Sequence, residues 1–375
     1  VAALGTTSGT LSGSEEGSGR VFPCEACGAD LVFDAARQVL RCTRCEFTRD
    51  VRLDGAPPVQ EQDLTQALER MSRERHGAAV ALPAEELSCD SCGAKVVFAG
   101  NVTSKECEYC GAPRQRGGLH RGVERVPVDG VLPFQVEQKA AATALSEWVR
   151  SRWFAPNEFL RRGVDGRFSG SYLPYWTYDA MTASWYVGER GEHYYVTVER
   201  NNQKVQERRT RWYPASGSFS RFFDDVMVCA STGLPDGVVR ALEPWPLERV
   251  VPYTQQLLAG YGAKTYDLSV ADGFKEAKQR MDSALRQEAA RRIGGDDQRV
   301  HSVRTRYEAL TFKHLLLPVW MLTYRYADKP YRVIVNATTG EVQGERPYSA
   351  IKIALAVIVG LIIAGLLLYF GQQKA

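Results

Sequence analysis

Two quartets of cysteine occupy the first third of this 375-residue chain, each built as Cys-x-x-Cys, a 14-residue spacer and a second Cys-x-x-Cys. Cys24, Cys27, Cys42 and Cys45 recur as Cys89, Cys92, Cys107 and Cys110, every member displaced by 65 positions. A tetrahedral cation needs four thiolates, and a Cys-x-x-Cys knuckle aims two sulfurs inward at once. Gly28, Gly93 and Gly111 follow three of the knuckles, where a left-handed backbone suits glycine; Glu46 stands at the fourth. The spacing predicts two structural zinc ions, each closed by four protein ligands and so without an open position for a catalytic water.

The repeat extends past the ligands. Cys27-Gly28-Ala29-Asp30-Leu31-Val32-Phe33 matches Cys92-Gly93-Ala94-Lys95-Val96-Val97-Phe98. Each copy reads as a small ribbon with too little core to fold without metal, whose binding contributes roughly 10–16 kcal/mol in such peptides. Disulfides would require a secreted chain, yet Val1 to Arg20 is rich in Gly, Ser and Thr and lacks a signal-peptide apolar core. A redox dithiol is expected once, after a strand of a βαβ unit.

At the other end, Ile353 to Phe370 is an unbroken apolar run of 18 residues. At 1.5 Å per residue it reaches about 27 Å, which predicts a transmembrane helix over 351–370 with a short tail, 371–375. Reduced thiolates then place the bulk of the chain in the cytosol, as a single-pass membrane protein. Ala356, Gly360 and Ala364 share one face of that helix, a small-residue stripe suited to homodimer pairing in the bilayer.

The net charge of +3 conceals a split. Residues 1–125 carry 15 Lys+Arg against 18 Asp+Glu, a net of −3, which leaves 32 against 26, or +6, for the rest. From Arg20 to Arg52 there are six basic and five acidic residues and from Cys89 to Arg116 four and three, so neither ribbon shows the basic stripe expected of a phosphate-gripping one. Between the ribbons, Leu64, Leu68 and Met71 recur at helical spacing and predict an amphipathic helix.

The remainder has an internal echo. Leu173-Pro174-Tyr175-Trp176 is matched by Leu317-Pro318-Val319-Trp320. Each follows a helical stretch, one over 137–154 with Ala141, Leu145, Trp148 and Arg152 on one side, the other over 270–293 with a stop at Gly294-Gly295. Each leads into short strands, read at 181–187, 194–199 and 205–212 after the first motif, then at 321–326, 332–336 and 341–344 after the second. The prolines are read at strand entrances, with the large rings buried beside them. The pattern predicts an α+β domain of antiparallel strands with helices packed on them.

No catalytic constellation emerges. The five histidines are scattered, His-Glu-x-x-His and Gly-x-Ser-x-Gly do not occur, and Gly260-Tyr261-Gly262-Ala263-Lys264-Thr265 lacks the Gly-Lys of a phosphate loop. Asp224-Asp225 and Asp296-Asp297 read as solvated turn acids, and Cys229, in an apolar run, as a small buried hydrophobe.

Taken together, the Cys-x-x-Cys-Gly-Ala-x-x-x-Phe ribbons, the Leu-Pro-x-Trp domain and the C-terminal apolar segment resemble the bacterial membrane-associated double zinc-ribbon proteins. Those are labelled as relatives of primosomal helicase or of transcription-factor-type zinc ribbons. The resemblance implies partners among phage-shock-type membrane-stress proteins and flotillin-like scaffolds, and no ATPase machinery for the helicase label is present. The expected organisation is a Gly/Ser-rich 1–20, ribbon 21–54, helical linker 55–86, ribbon 87–116, linker 117–125 and α+β domain 126–348, followed by the anchor. The expected role is a non-enzymatic tail-anchored adaptor. The second reading is a tethered nucleic-acid or transcription-factor binder, favoured by Arg208-Arg209-Thr210-Arg211.

Overall fold

The structure, a computed structural model, describes residues 22–51, 58–74, 85–88, 95–98, 102–106, 113–115, 126–152, 167–200, 203–231, 234–264, 266–326, 329–345 and 349–372. The second cysteine quartet and residues 1–20 lie outside them. Strands β1 (Leu31–Asp34), β2 (Val39–Cys42) and β3 (Thr48–Asp50) make a small antiparallel sheet around the first quartet. Next come β4 (Gln62–Asp63), helix α1 (Leu64–Glu74), β5 (Glu85–Ser88), β6 (Lys95–Phe98), β7 (Val102–Glu106), β8 (Pro113–Gln115), β9 (Gly130–Val131) and α2 (Gln138–Arg150). The large domain continues with β10 (Arg167–Arg200), β11 (Gln203–Cys229), α3 (Asp236–Arg240), β12 (Val251–Pro252), β13 (Gly262–Lys264), α4 (Val270–Ile293), β14 (Asp297–Tyr326), β15 (Lys329–Asn336), β16 (Val342–Gly344) and α5 (Ala350–Gln372).

Strand, not helix, dominates, and this corrects the α+β expectation. Strands β10, β11 and β14 run for 34, 27 and 30 residues and pair antiparallel in the order β11-β10-β14. At about 3.3 Å per residue β10 extends on the order of 110 Å. The segments read as separate strands at 181–187 and 194–199 are parts of this one strand. Gly188 and Gly191 interrupt the pattern between those two segments, and the motif prolines, read at strand entrances, sit inside strands. The Pro174 carbonyl accepts from the Ala230 amide, one residue past the end of β11, and the Pro318 carbonyl accepts from the Ala337 amide, one residue past the end of β15. A residue's N–H and C=O point to the same side of a strand, so each proline faces a place where its neighbour has already ended and no ladder bond is forfeited.

The sequence echo becomes a pseudo-two-fold centred where Leu173 pairs with Leu317. Tyr172 pairs with Pro318 and Leu316 with Pro174. Strand β13 runs parallel to β10 at Ser171 and Tyr172, as β9 runs parallel to β14 at Leu315 and Leu316. The Trp176 indole N–H donates to the Leu268 carbonyl, two residues before α4, and the Trp320 indole N–H to the Val136 carbonyl, two residues before α2. Each motif tryptophan thus anchors the start of a helix.

Helix α4 buries Gly273, Ala277, Met281, Leu285, Ala289 and Ile293, an i+4 row that follows the long ribbon. Ser269 caps its start, its hydroxyl oxygen accepting from the Asp272 amide at 3.1 Å, and Gly294 ends it with φ +67°. Helix α2 buries Ala141, Leu145 and Val149, leaving Trp148 half-buried under the Arg152 guanidinium at 4.7 Å. Strand β7, just before Cys107, pairs with β13 and so belongs to the large sheet.

The C-terminal expectation is also corrected. The apolar run does form α5. Among the described residues no helix is long and apolar enough to cross a membrane. The transmembrane helix, the tail anchor and the membrane localisation are therefore not retained. The same holds for the bilayer as a partner and for pairing in it through Ala356, Gly360 and Ala364.

Candidate functional site

The first quartet is assembled by two matched knuckles. The Cys24 amide donates to the Ala29 carbonyl at 2.6 Å and the Cys42 amide to the Phe47 carbonyl at 2.8 Å, the same five-residue step in both. Gly28 takes φ +70°, and Glu46, at the corresponding position, takes φ +60° despite its side chain. Sulfurs of Cys24 and Cys45 lie 3.5 Å apart, as do those of Cys27 and Cys42. All four lie within 4.8 Å of one another and could hold one metal ion. Without a metal the thiols split: the backbone N–H groups of Cys45 and Arg44 lower Cys42 to about 6, whereas Cys45, despite the Phe47 N–H, is raised to about 12 by the Cys27 sulfur and burial. Cys24 and Cys42 are buried, whereas Cys27 and Cys45 are exposed. Whether Cys89, Cys92, Cys107 and Cys110 converge in the same way lies outside the described residues.

This centre does not stand apart from the large domain. Cys24, Leu31, Phe33, Leu40 and Cys42 share one apolar cluster with Phe134, Tyr172, Leu258 and Trp320. The Phe33 amide donates to the Ala259 carbonyl at 2.9 Å, the Tyr261 hydroxyl to the Phe33 carbonyl at 3.1 Å, and Gln38 to the Phe134 carbonyl at 2.7 Å. Tyr261 in turn stacks on Phe134 with ring centroids 3.9 Å apart. A metal holding the knuckles would therefore fix the small sheet against the end of the large one.

A second polar cluster was not foreseen. Asp179, 1% exposed, sits where both neighbouring strands slip register: β11 bulges at Asp224 and Asp225, β14 at Ala309 and Leu310. Asp225 (φ +50°) donates its amide to Asp179 Oδ1 at 2.5 Å, and the Thr311 hydroxyl lies 3.1 Å from Asp179 Oδ2. Lys313 Nζ lies 2.8 Å from Asp225, 3.3 Å from Glu61 and 3.8 Å from Asp179. Burial raises the Asp179 carboxyl. Burial also pushes Glu61 up, but the Thr311 hydroxyl and the Lys313 charge outweigh it and leave that carboxyl lowered. Asp179, Asp224 and Asp225 are close enough to share a cation, yet the Lys313 ammonium already supplies one charge there. The only sequence signal was the Asp224-Asp225 pair, read as a solvated turn; a double bulge gives no periodicity cue.

The other singled-out residues are structural. Asp297 is lowered chiefly by His193, whose Nε2 lies 2.7 Å from its carboxylate. His314 is buried with Nδ1 3.1 Å from the Val126 carbonyl. Cys229 borders a cavity of about 630 Å³ beside α4 and Arg280. Burial raises its thiol to about 11, the opposite of an activated nucleophile.

No protein-family model matches the chain. No solved structure matches it either. It is similar to the uncharacterized protein YdjG of Bacillus subtilis (strain 168), with 24% identity over 244 residues, which are 60% of this chain and 65% of that protein. The chain thus spans just under two thirds of that relative's length.

Proposed function

We propose that the chain is a non-enzymatic protein-binding adaptor whose two cysteine quartets each hold a structural zinc ion. The observation that carries this reading is the junction between the first quartet and the large domain. Its ligands Cys24 and Cys42 lie in the same apolar cluster as Phe134, Tyr172 and Trp320, so metal occupancy sets the shape of a shared surface. Four cysteines and no other side chain make up that metal-ligand group, which leaves the ion structural rather than catalytic. Phage-shock-type and flotillin-like proteins, implied by the motif resemblance, are the partners to test first.

A second reading has one observation in its favour. The hairpin formed by β10 and β11 carries Arg208, Arg209 and Arg211 beside the exposed rings of Tyr194 and Tyr195, a combination suited to single-stranded nucleic acid.

Both are tested on tagged full-length protein purified from bacterial lysate with and without nuclease, beside Cys42→Ser and Cys107→Ser, with metal analysis. The adaptor reading expects two zinc ions per chain, one lost in each variant, and a stoichiometric protein partner lost from at least one variant. Recovery of nucleic acid alone, released steeply by salt, would replace it with the second reading.

A further inference from the structure

The long ribbon has two faces, and only one is covered. Even-numbered residues of β10 from Ala180 to Gly188 lie under α4, whereas the odd-numbered ones point away from it. On that outer face Met181 is 42% exposed, Trp185 50% and Val187 52%; Phe222, the cross-strand partner of Met181, is 55% exposed. Hydroxyls border one side, since Ser216, Ser218 and Ser220 of β11 pair with Val187, Trp185 and Ala183. Arginines border the other, where Arg304 and Arg306 of β14 pair with Trp185 and Ala183. Arg306 is engaged by Glu308 at 2.9 Å, and among the described residues Arg304 makes no ion pair.

The geometry points to a partner protein's amphipathic helix as the occupant of this face, lying along β10 with its apolar stripe on Met181, Trp185, Val187 and Phe222 and acidic residues over Arg304 and Arg306. The inference rests on the protein-binding reading above and adds the surface and the kind of partner. Size argues for one helix. The patch is about 20 Å long and about 14 Å across three strands, close to a helix of about 13 residues and 10 Å diameter. Its area of roughly 280 Å² is about a third of the ~800 Å² per partner of a stable interface, too little for a second copy of this chain stacked through it. The opposite face shows what these strands accept: α4 lies there through Ala277, Met281, Leu285 and Ala289. Charge selects the flank, because among the described residues Arg304 makes no ion pair and an acidic residue would supply one. Nucleic acid is disfavoured here, since Glu308 and Glu189 share the face and Arg306 is already paired.

The test uses zinc-loaded full-length protein and two labelled 15-residue helical peptides with the same Leu/Ala stripe, one flanked by Glu and one by Lys, followed by fluorescence anisotropy. The Glu peptide should bind saturably, at least tenfold more weakly to Trp185→Ala and to Arg304→Glu. The charge-reversed Arg304→Glu should in exchange prefer the Lys peptide. No saturation with the Glu peptide up to ~1 mM, equal binding of both peptides, or indifference to Trp185→Ala overturns the proposal. So does a chain that sediments as a dimer and becomes monomeric in Trp185→Ala, or an oligothymidine that binds and is lost in Arg304→Glu. A natural partner lost from Cys42→Ser but kept by Trp185→Ala sinks this surface and leaves the adaptor reading standing.

Discussion

Lys313→Met should be among the most destabilising single substitutions outside the metal centre. Among the described residues the ammonium is the one cation within 4 Å of these three carboxylates, at 2.8 Å from Asp225, 3.3 Å from Glu61 and 3.8 Å from Asp179. At an effective dielectric of 20 each such contact is worth about 4–6 kcal/mol of Coulomb energy. That sum overstates the loss, because the Asp225 and Glu61 side chains are 26% and 46% exposed and water screens them. Asp179 decides the magnitude: its side chain is 2% exposed and cannot rehydrate. Removing one partner of a buried pair costs about 3–5 kcal/mol, and we expect a loss in that range at pH 7. The pH dependence follows from the signs. Burial already raises the Asp179 carboxyl above its ordinary 3.8, so its ionisation opposes folding as pH climbs through the raised value. Taking away Lys313 raises it further and removes the charge that helps keep Glu61 low. The deficit of the variant should therefore shrink as the pH falls from 7 towards 5. Urea unfolding of zinc-loaded protein, followed by tryptophan fluorescence at both pH values, measures it. The double variant Lys313→Met, Asp179→Asn should recover at least half of the loss. A deficit below about 1 kcal/mol that is the same at pH 7 and pH 5 would refute the reasoning.

Four further substitutions probe the backbone and the pseudo-symmetry. Glu46→Gly should stabilise the metal-loaded first sheet by about 0.5–1 kcal/mol, because relief of left-handed strain exceeds the entropy of a new glycine; a lower melting temperature would count against the knuckle geometry. Gly188→Ala should cost about 1–3 kcal/mol in denaturant unfolding, since the added methyl would sit 2.6 Å from Ile293 Cδ1 and against the Arg299 carbonyl, while a neutral result would mean that α4 stands off the ribbon. Trp176→Phe and Trp320→Phe each remove an indole N–H that holds a carbonyl two residues before a helix, so both should lose about 1–2 kcal/mol and leave an unpaired acceptor. A marked asymmetry between those two would show that the repeated motif does not play the same part in both halves.

Local pieces could be read along the chain, the overall architecture could not, and the difference has identifiable causes. The knuckles were legible because four ligands on one ion impose a fixed local spacing, and Glu46 marked itself as the one odd position. Helix α4 was legible at its C-terminal end, through the Gly294-Gly295 stop, whereas the Ser269 cap was seen only in the structure. The ribbon was not. Alternation along 167–200 is broken by Pro174, by glycines and by a tip where both faces are exposed, so one strand looked like several. The buried Asp179–Lys313 cluster was also out of reach, because its four acidic and basic members come from Glu61, β10, β11 and β14 and meet only at a register shift shared by two strand pairs.

The sequence by itself determined the local chemistry: four thiolates on two knuckles, a capped amphipathic helix, and a duplicated Leu-Pro-x-Trp motif with rings destined for burial. The tertiary structure alone decided what those pieces are set against. Only the pairing of β10 with β11 and of β14 with β15 shows that the two prolines face the ends of neighbouring strands, and only the folded ribbon tells its covered face from its bare one. Period-2 alternation says that a strand has two faces, but which of them a helix covers is fixed by packing that no local pattern encodes.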